Sequence, residues 1–172
     1  AWTYRGPDFH ELECAAIWRP AWHLVCHVSE LAAPGDFRTF RLLGELAMAV
    51  RGRDGAIHAF HNVCRHRAAR LLDGDGGNCG ARIICPYHGW TYALDGALLG
   101  VPFIEEYENF AKAGNGLTPI EHAVFAGFVF VRFASGGPLL AEELAPVADD
   151  LALHRFAEME PLVPVRTRVR EV

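Results

Sequence analysis

Four side chains that bind soft metals fall in two tight pairs. Cys64-Arg65-His66 is followed, after eighteen intervening residues, by Cys85-Pro86-Tyr87-His88. In each pair the thiol and the imidazole are too close along the chain to serve separate sites. The set offered to one centre is therefore two thiolates and two imidazoles. Thiolates hold iron–sulfur clusters, and imidazole also suits iron. The charge count shows what the imidazoles change. An oxidised [2Fe–2S] core with four thiolates totals minus two and falls to minus three on reduction. With two thiolates and two neutral imidazoles it totals zero and falls to minus one. A neutral assembly takes up an electron more readily, which places such a centre at roughly −150 to +300 mV, against about −400 mV for plant-type clusters. The second ring nitrogens of His66 and His88 remain to be offered outward, to a partner carboxylate or as a route for an electron and a proton.

A tetrahedral Zn²⁺ is the competing use of the same four residues. The first pair is separated by one residue, tighter than the spacing of common fingers, and no finger-like ββα pattern follows. Two spaced ligand pairs with glycine and proline around them are a far more specific signal than a lone motif. Gly89, together with Gly74, Gly76, Gly77 and Gly80 between the pairs, is expected to let backbone N–H groups approach a cluster sulfur. Pro86 stiffens the second loop by fixing its own φ. Cys14, Cys26 and Cys79 remain, and are expected to be reduced and structural.

The stretches Asn62-Val63-Cys64-Arg65-His66-Arg67-Ala68-Ala69-Arg70-Leu71 and Cys85-Pro86-Tyr87-His88-Gly89-Trp90-Thr91-Tyr92 resemble the N-terminal Rieske domain of ring-hydroxylating oxygenase α subunits. A less specific likeness runs from about Phe9 to the C-terminus. The resemblance implies that Cys64 and Cys85 hold one iron of a Rieske [2Fe–2S] cluster and His66 and His88 the other. It implies a mainly β fold, a Rieske-type antiparallel β-sandwich with cluster-binding loops and short N-terminal and C-terminal helices. Rieske proteins of the cytochrome bc complexes are a poorer match. They carry an extra, disulfide-bonded Cys in each loop, where this chain has Ala69 and Tyr87, and an N-terminal membrane anchor that this sequence lacks. The low end of the Rieske potential range is therefore expected. In the intact oxygenases, the domain takes electrons from a ferredoxin or reductase. It passes them to a mononuclear iron in the catalytic domain of the same or a neighbouring subunit. The subunits often form homotrimers, and the substrate is an aromatic or similarly apolar compound.

Composition agrees with a globular domain. Of 172 residues, 51% are apolar, enough for one domain with a real core. The net charge of −5 and the absence of a basic stripe exclude a nucleic-acid role. The longest apolar run, Ala123 to Val131, is far too short to span a membrane. The opening Ala1–Glu13 has no signal-peptide core, so a cytoplasmic protein is expected.

The elements that must position the four ligands follow from pattern. Asp8 followed by Glu11 reads as a capping box, starting a short helix that Pro20 stops. Strands are expected at Trp22–Val28, Phe37–Leu43, Ala47–Arg51 and Ile57–Asn62, the last delivering Cys64. Trp90–Leu94 and Ala97–Gly100 follow the second loop. Asp54-Gly55 and Asp95-Gly96 read as two-residue hairpin turns. Glu105, Glu106 and Glu108 read as a solvated acidic turn, with docking of a basic electron donor as the lesser reading. Pro119–His122 and Phe128–Phe133 are further strands, the second apolar on both faces and expected in the sheet core. After Ser135-Gly136-Gly137-Pro138, Leu140–Leu144 and Val147–His154 read as helical, and Arg166–Val172 as a strand without a partner. The division is 1–21 as an N-terminal helical segment and 22–135 as the cluster domain. Residues 136–172 form a helical tail that leads toward a catalytic domain.

An oxygenase also needs an iron held by two His and one carboxylate. After the cluster motif only His122 and His154 remain, neither with a second His at the needed spacing. Both are expected at the surface, as are His10, His23 and His27, or in packing roles. No catalytic residue is assigned. The expectation is the electron-transfer domain of an aromatic-ring-hydroxylating oxygenase α subunit, a portion that moves electrons and hydroxylates nothing by itself. The alternative is a free-standing Rieske ferredoxin.

Overall fold

The computed structural model describes residues 2–160 of the chain. The strand expected at Arg166–Val172 and the link expected from Leu162 lie outside the described residues. The first helix, α1 (Pro7–Glu13), runs on into a π-helical turn, Cys14–Trp18. Asp8 is not its cap. The N-cap is Gly6, and Pro7 takes the first helical position, where a missing N–H leaves nothing unsatisfied. Asp8 still sits in the first turn, where its charge suits the helix dipole.

Ten strands follow among the described residues: β1 (His23–His27), β2 (Asp36–Leu42), β3 (Glu45–Arg51), β4 (Ile57–His61) and β5 (Gly76–Asn78), then β6 (Ile83–Ile84), β7 (Thr91–Tyr92), β8 (Leu98–Gly100), β9 (Glu121–Phe125) and β10 (Phe128–Arg132). They form three antiparallel sheets, ordered β1-β10-β9, β4-β3-β2-β5 and β6-β7-β8. Two short helices close the described chain, α2 (Leu140–Glu143) and α3 (Ala148–Ala152). The expected mainly β fold with short terminal helices is what the chain adopts. No helix among the described residues is long and apolar enough to cross a membrane.

The expected two-residue hairpin turns are three-residue loops. Gly52 donates to the carbonyl of Ala56 and Gly55 to that of Gly52; Ala93 to that of Ala97 and Gly96 to that of Ala93. Asp54 and Asp95 each accept the N–H two residues on, and the glycine that follows takes a φ of 82° or 86°. This is the turn-plus-bulge solution to the same Asp-Gly signal.

Two of the glycines between the ligand pairs do a different job from the one expected. Gly76 and Gly77 form most of β5, which pairs with β2. A Cβ at Gly76 would stand 2.8 Å from the Phe37 carbonyl oxygen. Small residues are needed there for strand approach, not for a cluster cradle. Of the glycines named, Gly89 alone lies in a ligand loop.

One core cluster underlies β6-β7-β8 and includes Met48, Phe60, Ile83, Trp90 and Tyr92 together with Cys64 and Cys85. A second, of Cys26, Leu31, Ala49, Ile57 and Val129, lies between the other two sheets. The strand β10 is central in its sheet, so Val129 and Val131 are fully buried, while Phe128 and Phe130 are half-buried. Arg132 is as deeply buried, at 1% exposure. Its guanidinium donates to Glu121 and to the carbonyls of Gly137 and Pro138, and lies 4.4 Å from the Trp22 ring centroid. That pairing satisfies the buried charge and fixes the Gly136–Pro138 boundary against the sheet.

The strand β4 ends one residue before a polar clamp. Buried Asn62 donates to the Leu72 carbonyl at 2.7 Å and accepts from the Leu72 N–H at 2.9 Å, closing the base of the first ligand loop. Asn62→Ala removes both partners of a buried peptide. It is expected to cost about 1–3 kcal/mol of stability, measured as a lower urea midpoint with an unchanged slope.

Candidate metal centre

The first loop leaves β4 and is pinned by an isolated bridge between Val63 and Arg70. The second joins β6 to β7. Their backbones repeat one pattern. Cys64 donates to the carbonyl of Ala69, five residues on, and accepts from the N–H of Ala68, four on. Cys85 donates to the carbonyl of Trp90 and accepts from the N–H of Gly89, at the same offsets. The fourth position is left-handed in both, with φ of 55° at Ala68 and 71° at Gly89. Each loop is thus a tight reversal that presents its Cys at one corner.

The two loops come together, bringing Cys64 beside Cys85 and His66 beside His88. Cys64 and Cys85 lie in the core, each 2% exposed. The rings of His66 and His88 meet edge to face, 4.7 Å between centroids at 65°. Both His are half-buried, whereas Arg65, Arg67, Pro86 and Tyr87 between and beside them are exposed. The arrangement is polar, with thiols inside and imidazoles at the rim. Among the described residues, no group of three or more His, Cys, Asp or Glu is placed to hold a single metal ion. The four residues meet as two pairs, thiol by thiol and imidazole by imidazole.

The electrostatics point the same way. Burial pushes the Cys64 thiol up, and contact with Cys85 adds to this. The Tyr92 hydroxyl and the His66 backbone N–H pull it back down. The Tyr92 oxygen lies 3.3 Å from Cys64 Sγ and accepts the Arg65 N–H at 3.2 Å, so its own proton is free for the sulfur. Burial holds the Tyr92 phenol well above its ordinary range, keeping that proton in place. Burial, then the facing His88 and Arg67, lower the His66 pKa. The shift favours the neutral ring, the form that ligates. Its Nδ1 is buried without a hydrogen-bond partner. An orphaned, buried imidazole nitrogen in the loop that carries buried Cys64 fits a site built for a metal group. The only other such atom among the described residues, His58 Nε2, lies 3.4 Å from Asp54 Oδ2.

The sequence matches the Rieske [2Fe–2S] domain family over residues 21–111. The chain belongs to that family. It is 36% identical to the carnitine monooxygenase oxygenase subunit of Acinetobacter pittii over 156 residues, covering 88% of this chain and 42% of that protein. It superposes with a TM-score of 0.83 on a quaternary ammonium Rieske monooxygenase solved in complex with L-carnitine, at 35% identity, covering 88% of this chain and 43% of the other. Naphthalene 1,2-dioxygenase with indole in its active site gives 0.77 at 32% identity, covering 83% and 32%. The Rieske chain thus spans under half the length of these relatives, which are Rieske oxygenases. Carnitine is not an aromatic compound, so the aromatic expectation was too narrow.

The other histidines singled out from sequence have partners of their own. His122 is half-buried and contacts the Ile120 carbonyl, and exposed His154 packs beside Phe156. His10 lies 3.5 Å from Cys14 Sγ, His23 contacts the Trp18 carbonyl, and His27 is buried against Ser29 and the Phe156 carbonyl. Burial raises Cys26 to about 12, and burial raises Cys79 also. Five thiols are free, with no disulfide among the described residues. Asn62 and Tyr92 were given no role from sequence.

The left-handed fourth position makes a pair of predictions. Gly89→Ala combines a left-handed alanine with a Cβ 3.2 Å from Pro102 Cγ. It is expected to cost about 1–2 kcal/mol. Ala68→Gly relieves strain while loosening the unfolded chain, and is expected to change stability by less than about 1 kcal/mol. Thermal unfolding of the two variants checks both.

Proposed function

We propose that this chain is the electron-transfer domain of a Rieske oxygenase subunit, with Cys64 and Cys85 holding one iron of a [2Fe–2S] cluster and His66 and His88 the other. The observation that carries the reading is the convergence of two matching loops, their thiols buried and their imidazoles at the rim. When bound, the cluster supplies one-electron transfer at a potential lifted by its two neutral ligands. The chain's own residues do the rest. Burial of Cys64 and Cys85 keeps water from the sulfurs. Tyr92 donates a hydrogen bond to Cys64. The half-exposed rims of His66 and His88 give electrons a short path to a partner.

The unit that does this is 22–135, with 1–21 and 136–172 as flanking segments. A ferredoxin or reductase donates electrons. The acceptor is a mononuclear iron in a catalytic domain of the same or a neighbouring subunit, and the whole subunit is a homotrimer. Substrates of the quaternary ammonium class are favoured over aromatic rings, because the carnitine-acting relatives share 36% and 35% identity against 32% for naphthalene dioxygenase. Free thiols suit a cytoplasmic location. A free-standing ferredoxin is the weaker reading, since the relatives are oxygenase subunits of more than twice this length.

Electron paramagnetic resonance of the dithionite-reduced protein is expected to give a mixed-valence [2Fe–2S] signal, with two irons per chain by analysis. A diamagnetic protein holding zinc would sink the proposal. His66→Cys or His88→Cys, if the cluster persists, is expected to lower the potential by adding negative charge. An unchanged midpoint in a redox titration would contradict the charge argument. Cys64→Ser and Cys85→Ser are expected to lose most of the iron and destabilise both loops.

A further inference from the structure

Metal-bound histidines are normally oriented by a hydrogen bond from the outer ring nitrogen to a carboxylate or carbonyl. Neither His66 nor His88 has one to any described residue, and the rings are held by stacking instead. The Trp90 indole lies parallel to His66, 4° between planes and 5.0 Å between centroids. Trp90 is 4% exposed and is backed edge-on by Phe110 at 5.5 Å, which Tyr107 backs in turn at 5.5 Å. His88 is held differently. Tyr87 stacks on it at 3.7 Å and 29°, and Tyr87 is 63% exposed.

We infer that the two imidazoles are oriented by separate aromatic supports: His66 by buried Trp90 with half-buried Phe110 behind it, His88 by the exposed Tyr87. All three are positioning residues that touch the ligands or each other. The two supports differ in stiffness. A ring packed between core side chains has no room to rotate, whereas Tyr87 has solvent on its outer side. His66 is therefore the fixed ligand and His88 the adjustable one. The irregular segment around residues 103–110 gains a purpose: it delivers Phe110 to the back of Trp90. Stacking of this kind adds to area burial, and leaves the outer ring nitrogens unengaged by any described residue.

This inference rests on the ligand assignment above, and pulsed EPR separates the two. In the reduced, cluster-loaded full chain, the wild type is expected to show two distinct histidine nitrogen couplings. Their absence would refute the ligand assignment itself. Given both, Trp90→Leu and Phe110→Leu are expected to alter one coupling and spare the other. Tyr87→Leu is expected to alter only the second, and Trp90→Phe to restore the wild-type pattern. Tyr87 is exposed and Phe110→Leu is mild, so both variants remain informative if Trp90→Leu fails to fold. Unchanged couplings in Phe110→Leu and Tyr87→Leu, or equal changes of both couplings in each, would overturn the separate supports.

Discussion

The structure depends on two backbone reversals that each spend the N–H and the carbonyl of a cysteine on their own loop. A buried peptide must find partners. At Cys64 and Cys85 both peptide groups find them four and five residues away. Each loop therefore closes on itself beyond the strand pairing at its base, and the Cβ of each cysteine is fixed relative to the core. Everything beneath serves that closure. The Asn62 clamp holds the base of one loop, and the β6–β7 pairing holds the base of the other.

Burying two thiols is costly if they are to ionise. Desolvation alone pushes Cys64 toward the neutral form. The fold answers with donors aimed at the sulfur rather than with a charged side chain. The Tyr92 hydroxyl and the His66 backbone N–H are dipoles fixed by packing, and they need no counter-ion in the core. Arg65 and Arg67 remain outside as exposed charges. A buried arginine would have been the alternative, and the chain uses one elsewhere. Arg132 is satisfied by Glu121 and two carbonyls, at the seam between sheet and C-terminal segment.

The four ligand residues were legible because their chemistry restricts their types and spacing. The strands β1 to β4, β9 and β10 were legible to within a few residues from alternation and turn signals. The stretch between the loops was not. Gly76 and Gly77 carry no strand propensity, and β5 exists because β2 offers an edge on which only a side-chain-free backbone fits. Tertiary context overrode local preference there. The role of Tyr92 was equally hidden, since a tyrosine in an apolar hairpin reads as core until its hydroxyl is placed beside a particular sulfur. Residues 101–118 read as irregular and are mostly so. Their value lies in what they pack against, which no local pattern encodes.

The repeated loop also explains why the ligand spacing is unequal. Counting from the cysteine, His66 holds the second position of its loop and His88 the third of the other. In the second loop the second position belongs to Tyr87, which lies flat on His88. The fifth position holds small Ala69 in the first loop and Trp90 in the second, where the indole reaches across to His66. The first loop thus contributes an imidazole and little support, while the second contributes an imidazole and the aromatic surfaces for both. The backbone reversal sets where the cysteines stand. The side chains at the second and fifth positions of the Cys85 loop set how the imidazoles lie. An insertion or deletion inside that loop would disturb both rings, although only one of them belongs to it.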